Sequence, residues 1–326
     1  MDLVLNIENL HVAYTTQDGN IEAIRDVSLS LRKGEVLGIV GESGSGKSTL
    51  ALFITGLLPK NAQVKFKEVT IMGNTANNYA QLRSILNNLR GTGIFMIPQD
   101  PFSSLNPLMK IKEQMAEAYI TKLKRTKGIK LNINEIEDKE LTEYLKRVNI
   151  PDPQITLYKY PHQLSGGQIQ RIMIAMALIL EPRILIADEP TTALDVITQI
   201  QILNELRKLI NELETSIIFI THDIALASII SDRVAVMYGG FFMETGNTLE
   251  ILKEPLHPYT KGLIASIPNK RKHEGPLSEI QGIYIPSKYE GCPFWPRCPH
   301  TTDTCKAQTP ILRKINNRLV RCFLYE

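Results

Sequence analysis

Three short strings carry residues whose types and spacing suit chemistry on a nucleoside triphosphate. In Gly41-Glu42-Ser43-Gly44-Ser45-Gly46-Lys47-Ser48, followed by Thr49, a glycine and a Gly-Lys-Ser triplet are separated by four residues. Glycines at that spacing let backbone N–H groups wrap phosphate oxygens at a helix N-terminus, the lysine reaches the β- and γ-phosphates, and the serine hydroxyl can ligate Mg²⁺. Ile184-Leu185-Ile186-Ala187-Asp188-Glu189 ends an apolar run in two acids. Asp188 is of the type that holds Mg²⁺ from a strand end, and Glu189 of the type that polarises water. Leu164-Ser165-Gly166-Gly167-Gln168 places two glycines at a helix start, where their N–H groups and the Ser165 hydroxyl can meet a γ-phosphate.

The elements that must position these strings are legible from their periodicity. Leu3 to Tyr14 and Ala23 to Leu31 alternate apolar and polar residues and read as strands, separated from the next by the turn Lys33-Gly34-Glu35. Val36 to Val40 is a continuous apolar run, the pattern of a buried parallel strand, and it feeds the glycine-rich loop directly. Ser48 to Leu58 then has helical spacing, with Pro59 as the expected stop. A polar helical stretch spans about Pro107 to Pro161, with a charged, solvated segment from Lys122 to Glu140. Ile169 to Leu180 reads as a buried helix, Ile184 to Ala187 and Ile217 to Ile220 as core strands, and Ile197 to Leu213 as the helix between them. The polar clusters fall at C-terminal strand ends, where open parallel sheets bind ligands.

Composition narrows the function classes. The chain has 326 residues, 43% hydrophobic and 22% charged, which suits one large domain with an appendage and an ordinary buried core. Its 37 basic and 34 acidic side chains leave a net charge of +3, too balanced to advertise a nucleic-acid partner, so charge decides little. The apolar stretch Ile172 to Leu180 falls far below the roughly 20 residues needed to cross a hydrocarbon core. The opening MDLVLNIENL is a strand pattern with an early acid, unlike a signal peptide, so the expectation is a cytosolic protein.

With the string YPHQLSGGQIQRIMIAMAL, the chain resembles the ABC ATPase family, whose signature is LSGGQ. The resemblance implies an α/β P-loop NTPase core of the ABC type: a mainly parallel sheet, an N-terminal antiparallel β layer and an inserted helical subdomain at about 103–180. It also implies roles for further residues. Gln99 matches the Q-loop glutamine that contacts Mg²⁺ and water and senses the membrane partner; by itself a glutamine near a strand end is ordinary surface. Asp195, in Ala193-Leu194-Asp195, matches the loop that crosses the dimer interface, and His222 matches the switch histidine at the γ-phosphate. Tyr14 matches the aromatic that stacks on adenine. In the family two such domains close head to tail around ATP and Mg²⁺, so a second ATPase subunit, self or paralogue, is an implied partner.

Two further strings, His257-Pro258-Tyr259-Thr260-Lys261-Gly262-Leu263 and Gly291-Cys292-Pro293-Phe294-Trp295-Pro296-Arg297-Cys298-Pro299, resemble the C-terminal extension of ATP-binding subunits of oligopeptide, dipeptide and nickel importers. The implied domains are 1–255 for nucleotide binding and 256–326 for a cysteine-containing extension. The implied partners are two transmembrane permease subunits and, indirectly, an extracytoplasmic peptide-binding protein, at the cytoplasmic face of the inner membrane. Two alternatives stay open: an importer for another cargo such as nickel, and a soluble ABC ATPase acting on DNA or ribosomes. The latter tends to have tandem halves or a long coiled-coil insertion, and no heptad run lies between Ser48 and Leu164.

Cys292, Cys298, Cys305 and Cys322, the only cysteines, crowd into the last 35 residues. A reducing compartment disfavours disulfides among them. Spacers of five, six and sixteen residues contain no C-x-x-C pair of the zinc-ribbon kind. A cubane cluster holds its thiolates farther apart than one zinc ion does, so the expectation is a 4Fe–4S cluster, with Zn²⁺ as the alternative. Arg297, Lys306 and Arg321 lie beside these cysteines and are candidates to offset thiolate charge. The expected role is to pin a tail too short to build its own core.

Overall fold

The computed structural model describes residues 2–191, 196–267, 282 and 290–326. Along the chain, β1 (Leu3–Thr16), β2 (Gly19–Arg32) and β3 (Val36–Val40) precede α1 (Lys47–Thr55). The strands β4 (Ala62–Lys65), β5 (Glu68–Ile71) and β6 (Asn74–Ala76) lead to α2 (Tyr79–Leu89) and β7 (Ile94–Ile97). Four helices follow: α3 (Ile111–Lys127), α4 (Asp138–Arg147), α5 (Pro153–Leu157) and α6 (Gly166–Leu180). Then come β8 (Ile184–Asp188), α7 (Val196–Leu213), β9 (Ser216–Thr221), α8 (Ile224–Ile230), β10 (Arg233–Tyr238) and β11 (Phe241–Asn247). The chain finishes with α9 (Thr248–Lys253), α10 (Pro258–Ala265), α11 (Asp303–Ala307), β12 (Arg313–Ile315) and β13 (Arg318–Val320).

These elements divide into two compact units. The helical unit comprises Met1–Val4, Arg32–Glu35 and Ser84–Ile218; the phosphate-loop unit comprises Leu5–Leu31, Val36–Arg83 and Phe219–Glu326.

In the helical unit β7 and β8 pair in parallel, from Ile94 opposite Ile184 to Ile97 opposite Ala187. Every residue of β8 is buried, as a continuous apolar run between covered faces requires. Helix α6 is buried almost all round, from Ile169 to Leu180 apart from Arg171, and α3 and α4 pack against it. A helix apolar on every side has to sit inside a bundle, which makes α6 the axis of this unit. The charged stretch around α3 and α4 is solvated as expected, with ion pairs such as Lys122–Glu181 at 2.6 Å on its surface. Such exposed pairs contribute little to stability.

In the phosphate-loop unit β1 runs antiparallel to β4 and β5, and β5 to β6, forming the N-terminal layer. The second set of strands places β3 parallel to β10, β10 antiparallel to β11, and β11 antiparallel to β13. Helix α1 stops before Pro59 because Gly56 takes φ 69° and turns its N–H back onto Leu52 and Phe53. A left-handed C-terminal glycine ends a helix more abruptly than a proline three residues later.

The cysteine-bearing tail is not a separate appendage. Its strand β13 extends the sheet through Glu244 opposite Val320 and Thr245 opposite Leu319. Cys292 and Phe294 enter a core cluster with Val40, Val234, Val236, Tyr238 and Tyr259. The tail therefore shares the core behind the phosphate-loop strand. Phe294→Ala removes a ring that is 2% exposed and packs on Tyr238, Tyr259 and His257. It is expected to cost about 3–5 kcal/mol of unfolding free energy in a urea titration.

Candidate functional site

The phosphate loop follows from steric exclusion. Gly44 and Gly46 adopt φ 78° and 108°, conformations that side chains rarely enter. A Cβ on Gly46 would lie 2.4 Å from the Ala23 carbonyl oxygen, and one on Gly41 would lie 2.1 Å from that of Met237. Lys47, 5% exposed, donates from Nζ to the carbonyls of Gly41 at 2.7 Å and Glu42 at 3.0 Å. Its charge is thereby held at the loop by the loop's own backbone. Gly240 N–H donates to the Ser45 carbonyl at 3.0 Å and fixes the loop from behind. The Ser45 residue is buried and its hydroxyl makes no hydrogen bond among the described residues. A buried hydroxyl left so costs about 1–3 kcal/mol, a deficit that a phosphate oxygen would remove. The loop thus fits a triphosphate on its own geometry.

Around it, Ser43 and Ser48 are exposed, and Thr49 receives the Tyr14 hydroxyl at 3.1 Å. Tyr14 is half-buried on β1 beside the first turn of α1. His222 is exposed at the end of β9, just before Asp223, whose carboxylate caps α8 by accepting the Ala225 N–H at 2.7 Å.

The remaining candidates lie in the helical unit. Asp188 closes β8 as a buried carboxylate, 3% exposed. Glu189 follows at φ 47°, a left-handed conformation that an acid holds only under constraint from its surroundings. Gln99, ninety residues earlier, donates from Nε2 to Glu189 Oε2 at 3.1 Å. The fold therefore brings together two residues that no local pattern connected. A buried carboxylate at a strand end is an oxygen donor of the kind Mg²⁺ takes.

Ser165 is the N-cap of α6. Its Oγ accepts the Gln168 N–H at 3.3 Å while Gln168 Oε1 accepts the Ser165 N–H at 3.0 Å. This reciprocal cap uses a lone pair of the hydroxyl and leaves its proton for an outside acceptor. Gly166 and Gly167, partly exposed, open the helix with orphan N–H groups. Ala193-Leu194-Asp195 lies outside the described residues.

The four cysteines line one cavity of about 270 Å³ together with His257 and Phe294. Burial pushes the Cys292 thiol up to about 12 and raises those of Cys298 and Cys322, opposed by backbone N–H groups of Phe294, His300 and Leu324 that favour the thiolates. Those donors stand two residues beyond each sulfur. Cys292 N–H also donates to the Cys305 carbonyl at 2.9 Å, joining two of the segments. Among the described residues no group of three His, Cys, Asp or Glu side chains is gathered to hold a single metal ion. The cations expected to offset thiolate charge are engaged elsewhere. Arg297 pairs with Glu42 at 2.7 Å, Lys306 with Asp303 at 2.9 Å and Arg321 with Asp26 at 2.8 Å. Each took a nearby carboxylate, the stronger local acceptor. The sequence motifs give Glu42 and Tyr259 no individual role and place Arg297 only beside the cysteines, although Tyr259 and Arg297 both stand within the two C-terminal strings quoted above.

Residues 24–192 match the family model described as ABC transporter, and residues 243–305 that described as oligopeptide/dipeptide transporter, C-terminal region. The oligopeptide transport ATP-binding protein OppD of Escherichia coli is 41% identical over 99% of this chain and 93% of its own. The dipeptide transport ATP-binding protein DppD of Bacillus subtilis is 42% identical over 100% and 96%. Among solved structures, the dimeric post-hydrolysis state of the ATP-binding cassette MJ0796 bound to ADP and Pi aligns with a TM-score of 0.63 at 29% identity, covering 75% of this chain and 98% of that one. Among the described residues no helix is long and apolar enough to cross a membrane.

Gly46→Ala combines a left-handed φ with a clash against a backbone oxygen. Backbone strain of about 1–3 kcal/mol should appear as roughly ten- to hundredfold weaker ATP binding by calorimetry, with an unchanged far-UV spectrum.

Proposed function

Because the chain belongs to the ABC transporter family, we propose that it is the ATP-hydrolysing subunit that drives import of oligopeptides or dipeptides through a membrane permease. The observation that carries the hydrolytic reading is the Gln99–Glu189 hydrogen bond, since it orients the acid that would act on water. The matching C-terminal region and the peptide-transport relatives support the cargo class.

In this reading water attacks the γ-phosphorus in line, its proton passes to Glu189, and the bond to the β-phosphate oxygen breaks to give ADP and inorganic phosphate. Gln99 keeps the Glu189 carboxylate turned toward that water. His222 holds the γ-phosphate, Lys47 neutralises charge developing on it, and the backbone N–H groups of Gly44 and Gly46 with the Ser45 hydroxyl cradle the phosphates. Ser48, Gln99 and Asp188 would hold Mg²⁺, which when bound offsets charge shared by the β- and γ-phosphates. Tyr14 stacks on adenine. A second ATPase subunit's own signature, equivalent to Ser165, Gly166, Gly167 and Gln168, completes the site. ATP then closes the dimer and hydrolysis reopens it. The subunit works peripherally, at the cytoplasmic face of the membrane beside two permease subunits fed by an extracytoplasmic binding protein.

We further propose that the cysteine-lined cavity holds a 4Fe–4S cluster with a structural role. Support comes from four thiols lining one space and from backbone N–H donors beside three of the sulfurs.

In the assembled transporter Glu189→Gln should lower ATP turnover by roughly 10²-fold or more while retaining ATP in a closed dimer, and Lys47→Ala should weaken ATP binding itself. Normal turnover in Glu189→Gln rules the hydrolytic assignment out. Anaerobic purification followed by metal and sulfide analysis should return about four irons and four sulfides per chain; stoichiometric zinc without iron removes the cluster.

A further inference from the structure

Glu42, the second residue of the phosphate loop, is held at three points. The Tyr259 hydroxyl oxygen accepts its backbone N–H at 3.0 Å. Its carbonyl accepts Lys47 Nζ at 3.0 Å and the Ser45 N–H at 3.2 Å. Its carboxylate accepts Arg297 Nη1 at 2.7 Å. Tyr259 and Arg297 reach it from 217 and 255 residues farther along the chain.

This is unlike an exposed tether, which water screens and side-chain freedom weakens. Tyr259 is fully buried and the Arg297 side chain is 6% exposed. The guanidinium lies over the Tyr238 ring at 5.8 Å and donates to its hydroxyl at 3.2 Å, so its place is set independently of Glu42. Phe294 packs on Tyr238 and Tyr259 with centroids 5.2 and 5.3 Å apart, and its carbonyl accepts the Arg297 N–H at 3.0 Å. The segment from Cys292 to Cys298 thus lines the cysteine-lined cavity and, through Arg297 next to Cys298, reaches the phosphate loop.

We infer that Tyr259 and Arg297 are positioning residues for the phosphate loop: they fix Glu42, whose flanking carbonyls, those of Gly41 and Glu42, hold the Lys47 amine, and so make ATP affinity depend on the packing of the cysteine-bearing tail. The inference rests on the reading of Gly41–Ser48 as the nucleotide site. A Glu42 free to turn would disturb the two carbonyls that hold Lys47, those of Gly41 and Glu42. Loss of this order falls on binding rather than on the chemical step, because the hydrogen bonds of both side chains to Glu42 act on the phosphate cradle.

The test uses the full chain for ATP affinity by calorimetry and the assembled transporter for kcat and KM, at a temperature where every variant is folded. Tyr259→Phe keeps the ring and removes only the hydroxyl; Arg297→Gln removes the charge and Arg297→Lys restores it. The first two should weaken ATP binding roughly five- to tenfold and raise KM with kcat within about twofold, and Arg297→Lys should recover part of the loss. Thr309→Val removes a tail hydrogen bond to the Gly291 carbonyl at 3.0 Å without touching Glu42, and should leave ATP affinity at the parental value. Unchanged affinity in Tyr259→Phe and Arg297→Gln overturns the inference, as does an equal loss in Thr309→Val. An unaltered chain that fails to bind ATP overturns the nucleotide reading and this one with it.

Discussion

The phosphate loop has to pass its backbone within contact of two carbonyls, those of Ala23 and Met237, while turning through left-handed conformations. Close approach excludes a Cβ at Gly41, and close approach together with a positive φ excludes one at Gly46. The strand before the loop must therefore end at one level of the sheet, and Lys47 must begin a helix immediately after it. The parallel pairing of β3 with β10 sets that level, and the turn between β10 and β11 supplies the Gly240 N–H that holds Ser45. Much of the phosphate-loop unit is thus arranged around a few ångströms of backbone clearance.

The tail belongs to the same arrangement. Phe294 and Cys292 complete the core behind β3, and β13 extends the sheet beyond β11. Arginines expected to serve the cysteines instead reach carboxylates on the phosphate loop and on β2, where a charge-assisted hydrogen bond offsets the cost of burying a guanidinium. Buried polar links of this kind carry geometric information between segments far apart in sequence, since breaking one leaves a desolvated group behind.

The helical unit solves a different problem. Its axis, α6, is too apolar to face water on any side, yet its first turn has to present polar groups outward. The Ser165–Gln168 cap meets both demands by satisfying two N–H groups locally and leaving the glycines open. Glu189 shows the complementary device: a residue placed by its backbone in a left-handed conformation, with Gln99 steadying its carboxylate.

Gly41–Ser48, Ser165–Gln168 and Asp188–Glu189 were legible in the sequence because glycine clearance, helix capping and strand-end acids are short-range requirements that leave contiguous patterns. The burial of β3, β8 and α6 was legible for the same reason, since uninterrupted apolar runs leave no face for water. The Pro59 helix stop was misread because Gly56 satisfied the helix end first. What only tertiary structure decided were pairings across long stretches of chain: Gln99 with Glu189, Tyr259 and Arg297 with Glu42, and four cysteines around one cavity. No periodicity encodes such meetings. They depend on where whole strands and helices come to rest, and that is set by the packing of the core.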